Sequence, residues 1–124
     1  MVSIGHMGLR DLAKRLTATV EEIDDERLQG RFADMDIVCI AQVTPRTHVR
    51  IGGEVTRTRI VPRSGVPAYE ITISDGTGSA AAMFTGRRHL TGIDHHRGVV
   101  LEGIVRQDKG RLVMVNPVYT LLPK

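Results

Sequence analysis

Arginine is the commonest charged residue in this sequence. Arg57, Arg59 and Arg63 crowd one stretch, "EVTRTRIVPR", Arg87 and Arg88 are adjacent, and Arg106, Lys109 and Arg111 surround "RQDKGR". Clustered cations neutralise phosphates and release counterions, so contact with a polyanion is the chemistry they suit. The bland alternative is a solvated surface that keeps the protein in solution. Charge is also unevenly spread: residues 1–36 hold five Lys and Arg against eight Asp and Glu, whereas residues 37–124 hold twelve against six. A basic body succeeds an acidic N-terminal segment.

Other chemistries lack their parts. Ser64 and Ser74 have no histidine or acid at a useful spacing. Cys39 sits in the apolar run "DIVCIAQV", where burial would make it inert, and it has no second cysteine for a disulfide or a zinc knuckle. His95 and His96 come directly after Asp94, but neighbouring side chains on an extended segment point apart, and no Cys or Glu stands at ligand spacing. "DGTG" at 75–78 lacks the GxxxxGK[ST] pattern and opens no helix, so it reads as a hairpin turn and not as a phosphate cradle. The expectation is a protein that is not an enzyme and uses no cofactor and no metal.

Periodicity locates the elements that must position the arginines. Leu9, Leu12, Leu16, Val20 and Ile23 recur at steps of three and four, which predicts an amphipathic helix over about residues 8 to 27 with Gly30 as its stop. Residues 31–48 read as a connector that docks against the rest of the chain. From residue 49 the period is two: Val49, Ile51, Gly53 and Val55 take one face, and Arg50, Glu54 and Thr56 the other. Gly52 and Gly53 mark a sharply bent strand. "VPRSGVP" reads as a loop, because its prolines exclude a ladder.

"AYEITIS" directs Tyr69, Ile71 and Ile73 inward and Glu70 and Thr72 outward, and "SAAAMFT" directs Ala80, Ala82 and Phe84 inward. "VVLEGIVRQ" and "RLVMVNPVY" form a second hairpin around "DKG". One helix and then five strands exclude an alternating βαβ scheme. A small closed barrel is favoured because closure removes edge strands, with an SH3-like barrel as the competitor. No run is apolar enough to span a membrane and no secretory signal is recognisable, so the expected location is cytoplasmic.

With the strands placed, the sequence resembles an OB-fold nucleic-acid-binding domain. "VRIGGEV" is similar to the opening strand of that family, "ITISDGTGSAAAMF" to its second and third strands with an acidic-Gly turn, "GVVLEGIV" to its fourth, and "LVMVNPVY" to its closing strand. The wedge domain of RecG-type helicases, the anticodon-binding type and small stand-alone actinobacterial OB-fold proteins share this order. The resemblance covers about residues 37–122, and Met83, Phe84 and Thr85 stand where such proteins often carry a tryptophan. It implies an all-β domain with an N-terminal α-helix: residues 1–36 as helix and connector, and residues 37–124 as a five-stranded OB-fold Greek-key barrel.

The resemblance further implies a non-catalytic module that binds single-stranded or structured nucleic acid, DNA or RNA, with little sequence preference. The cleft would lie between the first-to-second and fourth-to-fifth strand loops, "VPRSGVP" and "QDKGR". Arg57, Arg59, Arg63, Arg106, Lys109 and Arg111 would line one rim of it, with Arg87 and Arg88 further off. Aromatic platforms are scarce, so phosphate contacts would dominate and binding would be weak. A second reading is a protein-interaction or homo-oligomeric module that uses the helix or a barrel face. The acidic run "EEIDDE" leaves open a masking role for the helix over the basic face.

Overall fold

A computed structural model describes the backbone of residues 9–124 and the side chains of residues 19–124. Helix α1 spans Leu9–Phe32, so it passes Gly30, beside which nothing lies within 4 Å. The helix continues because Leu28 and Phe32, one turn apart, are its buried anchors. The side chains of Leu9, Leu12 and Leu16 lie outside the described residues, while Val20 and Ile23 are exposed.

Six strands come after it: β1 (His48–Arg63), β2 (Val66–Ser74), β3 (Ser79–Thr85), β4 (Gly98–Asp108), β5 (Arg111–Val115) and β6 (Val118–Leu121). They form one sheet in the order β1-β2-β3-β5-β4-β6, closed by a β1–β4 pairing. Closure puts Ile51, Val55, Ile71, Ile73, Ala82, Leu101, Val105 and Met114 in a fully buried interior, as the alternation predicts for β1 to β3. Leu90 and Ile93, on the loop between β3 and β4, are also buried in it. That loop contains turns and no helix.

β1 is shared by two ladders. Residues 48–54 pair with β4 and residues 54–63 with β2, with a register shift between Val55 and Arg57. Strand curvature is therefore concentrated at the tandem glycines and just after them. Close approach is a second reason for Gly53: a Cβ there would stand 2.7 Å from the Ser74 carbonyl oxygen.

Two local expectations are corrected. "VPRSGVP" is not a loop, because the ladder continues to Arg63↔Val66 and turns on Ser64 (φ 50°) and Gly65 (φ 79°). Positive φ at both positions is the type I′ hairpin, and Pro62↔Pro67, next to the closing pair, is a position that exchanges no ladder hydrogen bond. The closing strand is also divided: Asn116 (φ 50°) and Pro117 break it into β5 and β6. The Asn116 side chain accepts from the Thr85 backbone N–H at 3.0 Å and donates to Thr85 Oγ1 at 2.9 Å, which fixes the break against the end of β3.

The connector docks as expected, but it exposes its thiol. Val38 N–H donates to the Arg50 carbonyl at 2.8 Å, and Arg46 N–H to the Val105 carbonyl at 2.7 Å. Ile40 is the residue of "DIVCIAQV" that is buried, whereas Cys39 is exposed. Lying along the barrel wall, this segment is anchored by Ile40, with Val43 partly buried against the same interior.

Candidate nucleic-acid interface

Register, more than loop proximity, assembles the arginines. On the outer face of the barrel, four ladders carry one continuous row: Arg57↔Thr72, Thr72↔Ala81, Ala81↔Val113 and Val113↔Arg106. Directly paired residues share a face, so an exposed arginine stands at each end of a floor of small side chains. A second row runs Arg59↔Glu70↔Met83↔Val115. Ala81, Met83 and Val113 form a small buried cluster of their own, separate from the barrel interior, with Val115 packed against it.

Glu70 organises the middle of this face. Arg59 Nε donates to its Oε2, and Arg111 Nη1 donates to its Oε1 at 2.8 Å. Its side chain is only 2% exposed. Burial pushes the carboxyl up, but the hydrogen bonds from Arg59 and Arg111 outweigh it and hold the group below the usual carboxylate range. The pairing aims both guanidiniums across the sheet. Arg63 lies over Met83, with Nη1 3.1 Å from the sulfur.

The expectation of one cationic rim needs correction. Along β2 and β3 the β1–β2 turn stands at the Val66 end, whereas the β4–β5 turn, with Lys109 (φ 52°) and Gly110, stands at the Ser79 end. The cations therefore run along the length of the face, because β5 is parallel to β3 and starts level with the opposite end of the ladder. Near Gly110 the face opens into a groove of about 460 Å³ between the connector residues Ala41 and Pro45 and the β4–β5 hairpin, lined by Thr72, Ser79 and Ala81.

Arg87 and Arg88 are exposed and come after Gly86, whose N–H donates to the Pro67 carbonyl at 2.8 Å, beside the β1–β2 hairpin. Tyr69 and Phe84 are buried, Phe32 is buried on the helix, and Tyr119 meets Phe84 edge-on at 5.5 Å. Among the described residues neither arginine row carries an aromatic side chain.

"DGTG" is a structural hub. Asp75 Oδ1 accepts from Thr77 N–H at 2.9 Å, Thr77 Oγ1 at 2.6 Å and Gly78 N–H at 3.2 Å, while Oδ2 accepts from Ile40 N–H at 2.9 Å. One carboxylate thus closes the hairpin and ties the connector to it. Helix α1 sits on the outer side of the same turn, where the Asp25 carbonyl approaches Gly76 so closely that no side chain fits. Here the backbone amides are already satisfied from within the protein.

Sequence reasoning passed over Glu54 and Glu70. Alternation directs both outward, yet both are buried under arginines. Arg27 Nη1 donates to Glu54 Oε2 at 2.8 Å, and Arg31 Nη1 to the same oxygen at 2.5 Å. Hydrogen bonding from Arg27, opposed by burial and reinforced by Arg31, lowers the Glu54 carboxyl to about 2.

His95 and His96 also depart from expectation. His96 (φ 69°) lies in a turn, so the two rings do not diverge and their centroids are 3.9 Å apart. Among the described residues no group of three His, Cys, Asp or Glu side chains is arranged to hold a metal.

The barrel thus combines a β1 strand shared between two ladders, a parallel β3–β5 closure and an outer face of small residues. Residues 49–122 match the family described as the OB-fold nucleic acid binding domain. The chain belongs to that family.

Solved structures place this OB domain among others of the same fold. The OB domain of Ta0387 from Thermoplasma acidophilum is 19% identical, with 70% of this chain and 87% of that one aligned at a TM-score of 0.52. The second OB-fold domain of replication protein A from Methanococcus maripaludis is 16% identical, covering 70% and 95% at 0.56. Schizosaccharomyces pombe Pot1pC, bound to single-stranded DNA, is 11% identical, covering 72% and 88% at 0.50. At such identities the likeness is one of fold. A search of curated proteins returns no match. Among the described residues of this OB domain, no helix is long and apolar enough to cross a membrane.

Proposed function

We propose that this OB domain binds single-stranded nucleic acid without catalysis and with little sequence preference, along the outer face of β2 and β3. The observation that carries the reading is the row with Arg57 at one end, Arg106 at the other and Thr72, Ala81 and Val113 between them. A floor of small side chains lets a strand approach the sheet, while the arginines meet its phosphates. Arg59 and Arg111, pre-aimed by Glu70, add two more cations to the track. Arg63, Lys109, Arg87 and Arg88 extend it toward the ends. Two of the similar folds support the assignment by their own properties: replication protein A is named for replication, and Pot1pC is bound to single-stranded DNA. With no aromatic in either row, affinity depends on phosphate contacts and falls steeply with salt.

Fluorescence anisotropy of a labelled oligothymidine tests this. With about four phosphates neutralised, a fourfold rise in salt weakens binding roughly 50-fold, and Arg57→Ala or Arg106→Ala each lowers the log–log salt slope by about 0.7. Glu70→Gln, which removes the central negative charge, strengthens binding at low salt. Lys124→Ala, in a separate groove with Arg31 and His95, leaves binding unchanged. Binding that ignores Arg57 and Arg106 would overturn the reading.

A further inference from the structure

The second row of the outer face does not stop at β5. The ladder pair Val105↔Met114 sets their neighbours Ile104 and Val115 side by side, and Ile104 is paired in turn with His48 on β1. Ile104 points outward, because Val105 next to it lies in the barrel interior. Val118 reaches the same face through its pairing with Glu102, two residues before Ile104 on β4. Ile104 is 59% exposed and Val118 70%, and with the partly buried Val115 they floor a groove of about 460 Å³. A single exposed aliphatic side chain is ordinary, but three in one groove, at the end of a built face, call for an occupant.

Charge around the groove says which occupant. Alternation puts Glu102, Ile104 and Arg106 in file on the outer side of β4. Arg106 ends the first arginine row and also lines this groove, about 7 Å from Ile104 at two residues along an extended strand. On the other side of Ile104, the half-exposed Glu102 carboxylate stands 3.7 Å from His48 Nε2 and 3.8 Å from Arg50 Nε, too far to accept a hydrogen bond from either. Its charge, only partly offset by Arg50, works against a second phosphate there. A strand held by its phosphate at Arg106 therefore has its uncharged part, the base, to offer to Ile104. The β6 side of the groove is preformed, because Asn116 on its rim is fixed by Thr85.

We propose that Ile104, Val115 and Val118 form an aliphatic shelf on which a nucleobase of the bound strand rests, next to the phosphate that Arg106 holds. The shelf rests on the binding reading above and adds to it a share of affinity that does not come from charge. Burying apolar surface releases no counterions, so this share persists as salt rises while that of the arginines fades. Every base presents a flat face, so the shelf is indifferent to sequence. It takes the place of the aromatic platforms that both arginine rows lack.

Anisotropy of labelled oligothymidine on the full chain, across a salt series, tests the shelf apart from the arginines. Ile104→Ala weakens binding about fivefold and Val118→Ala about threefold at every salt concentration, with the log–log slope of wild type, whereas Arg106→Ala lowers the slope. A strand of the same length without bases binds wild type more weakly at the same slope, and Ile104→Ala weakens it no further. Both side chains are exposed, so the circular dichroism and melting of the variants match wild type. If wild-type binding ignores Arg57 and Arg106, the binding reading fails and the shelf with it. If those arginines act as expected while Ile104→Ala binds like wild type, or weakens the baseless strand as much as the intact one, the shelf alone is overturned. A loss of self-association in sedimentation equilibrium, with strand binding untouched, would make the patch a protein contact and overturn it as well.

Discussion

Glu54 takes its hydrogen bonds from Arg27 and Arg31, separated from it by 27 and 23 positions in the sequence. Its folded value of about 2 lies below the ordinary carboxylate value of an unfolded chain. Stability from this group is therefore full above about pH 4.5 and is lost as pH falls toward 2. Glu70, shifted in the same direction, adds to that acid limb. Glu54→Gln should cost about 1–2 kcal/mol at neutral pH, at the low end because Arg27 is half exposed, and the gap to wild type should close near pH 2. Thermal melts from pH 2 to 7 measure it. Glu70 was legible in principle: a two-residue turn at Ser64 and Gly65 fixes Arg59 opposite it by counting outward from the turn. Glu54 was not, because nothing near it in sequence announces a helix folded back over its strand. Cys39 misled in the same way, since a short apolar run does not say which of its residues faces the protein.

At the level of elements, alternation located β1 to β4, and the acidic-Gly turn was correctly read as a hairpin. It erred where backbone chemistry decides. The prolines of "VPRSGVP" suggested an interruption, yet Pro62 and Pro67 face each other where the ladder makes no demand on their missing N–H groups. Asn116 divides the last strand by adopting a left-handed backbone, a choice its side chain secures through Thr85. Gly53 gives the sharpest test. A methyl group there would meet the Ser74 backbone, which cannot step aside as a flexible side chain can. Gly53→Ala should destabilise the barrel by about 2–3 kcal/mol in a denaturant titration. A neutral result would mean that β1 crosses the end of β2 more loosely than this contact requires.

For the whole molecule, the binding face depends on the parallel β3–β5 pair, because that is what links Thr72 and Ala81 to Val113 and Arg106. No local sequence signal reveals such a closure, so the arginines could be named from the sequence but their alignment could not. Among the described residues the helix packs elsewhere: Arg27 and Arg31 on Glu54, Phe32 beside Gly52, Asp25 and Gln29 beside Gly76 and Arg31 beside Gly98, away from both arginine rows. Removing residues 1–36 should therefore leave affinity for a short oligonucleotide unchanged. It should lower stability, since burying Leu28 and Phe32 is worth about 3–6 kcal/mol before the cost of ordering the helix. Parallel melting and anisotropy measurements on residues 37–124 decide this, and a gain in affinity would show that the helix covers the face. One further consequence lies in β1, whose Glu54 belongs to both ladders at once. Neither half of the cylinder can come apart while that strand holds the other, so amide protons around residues 52–55 would be released to deuterium only when the entire domain opens.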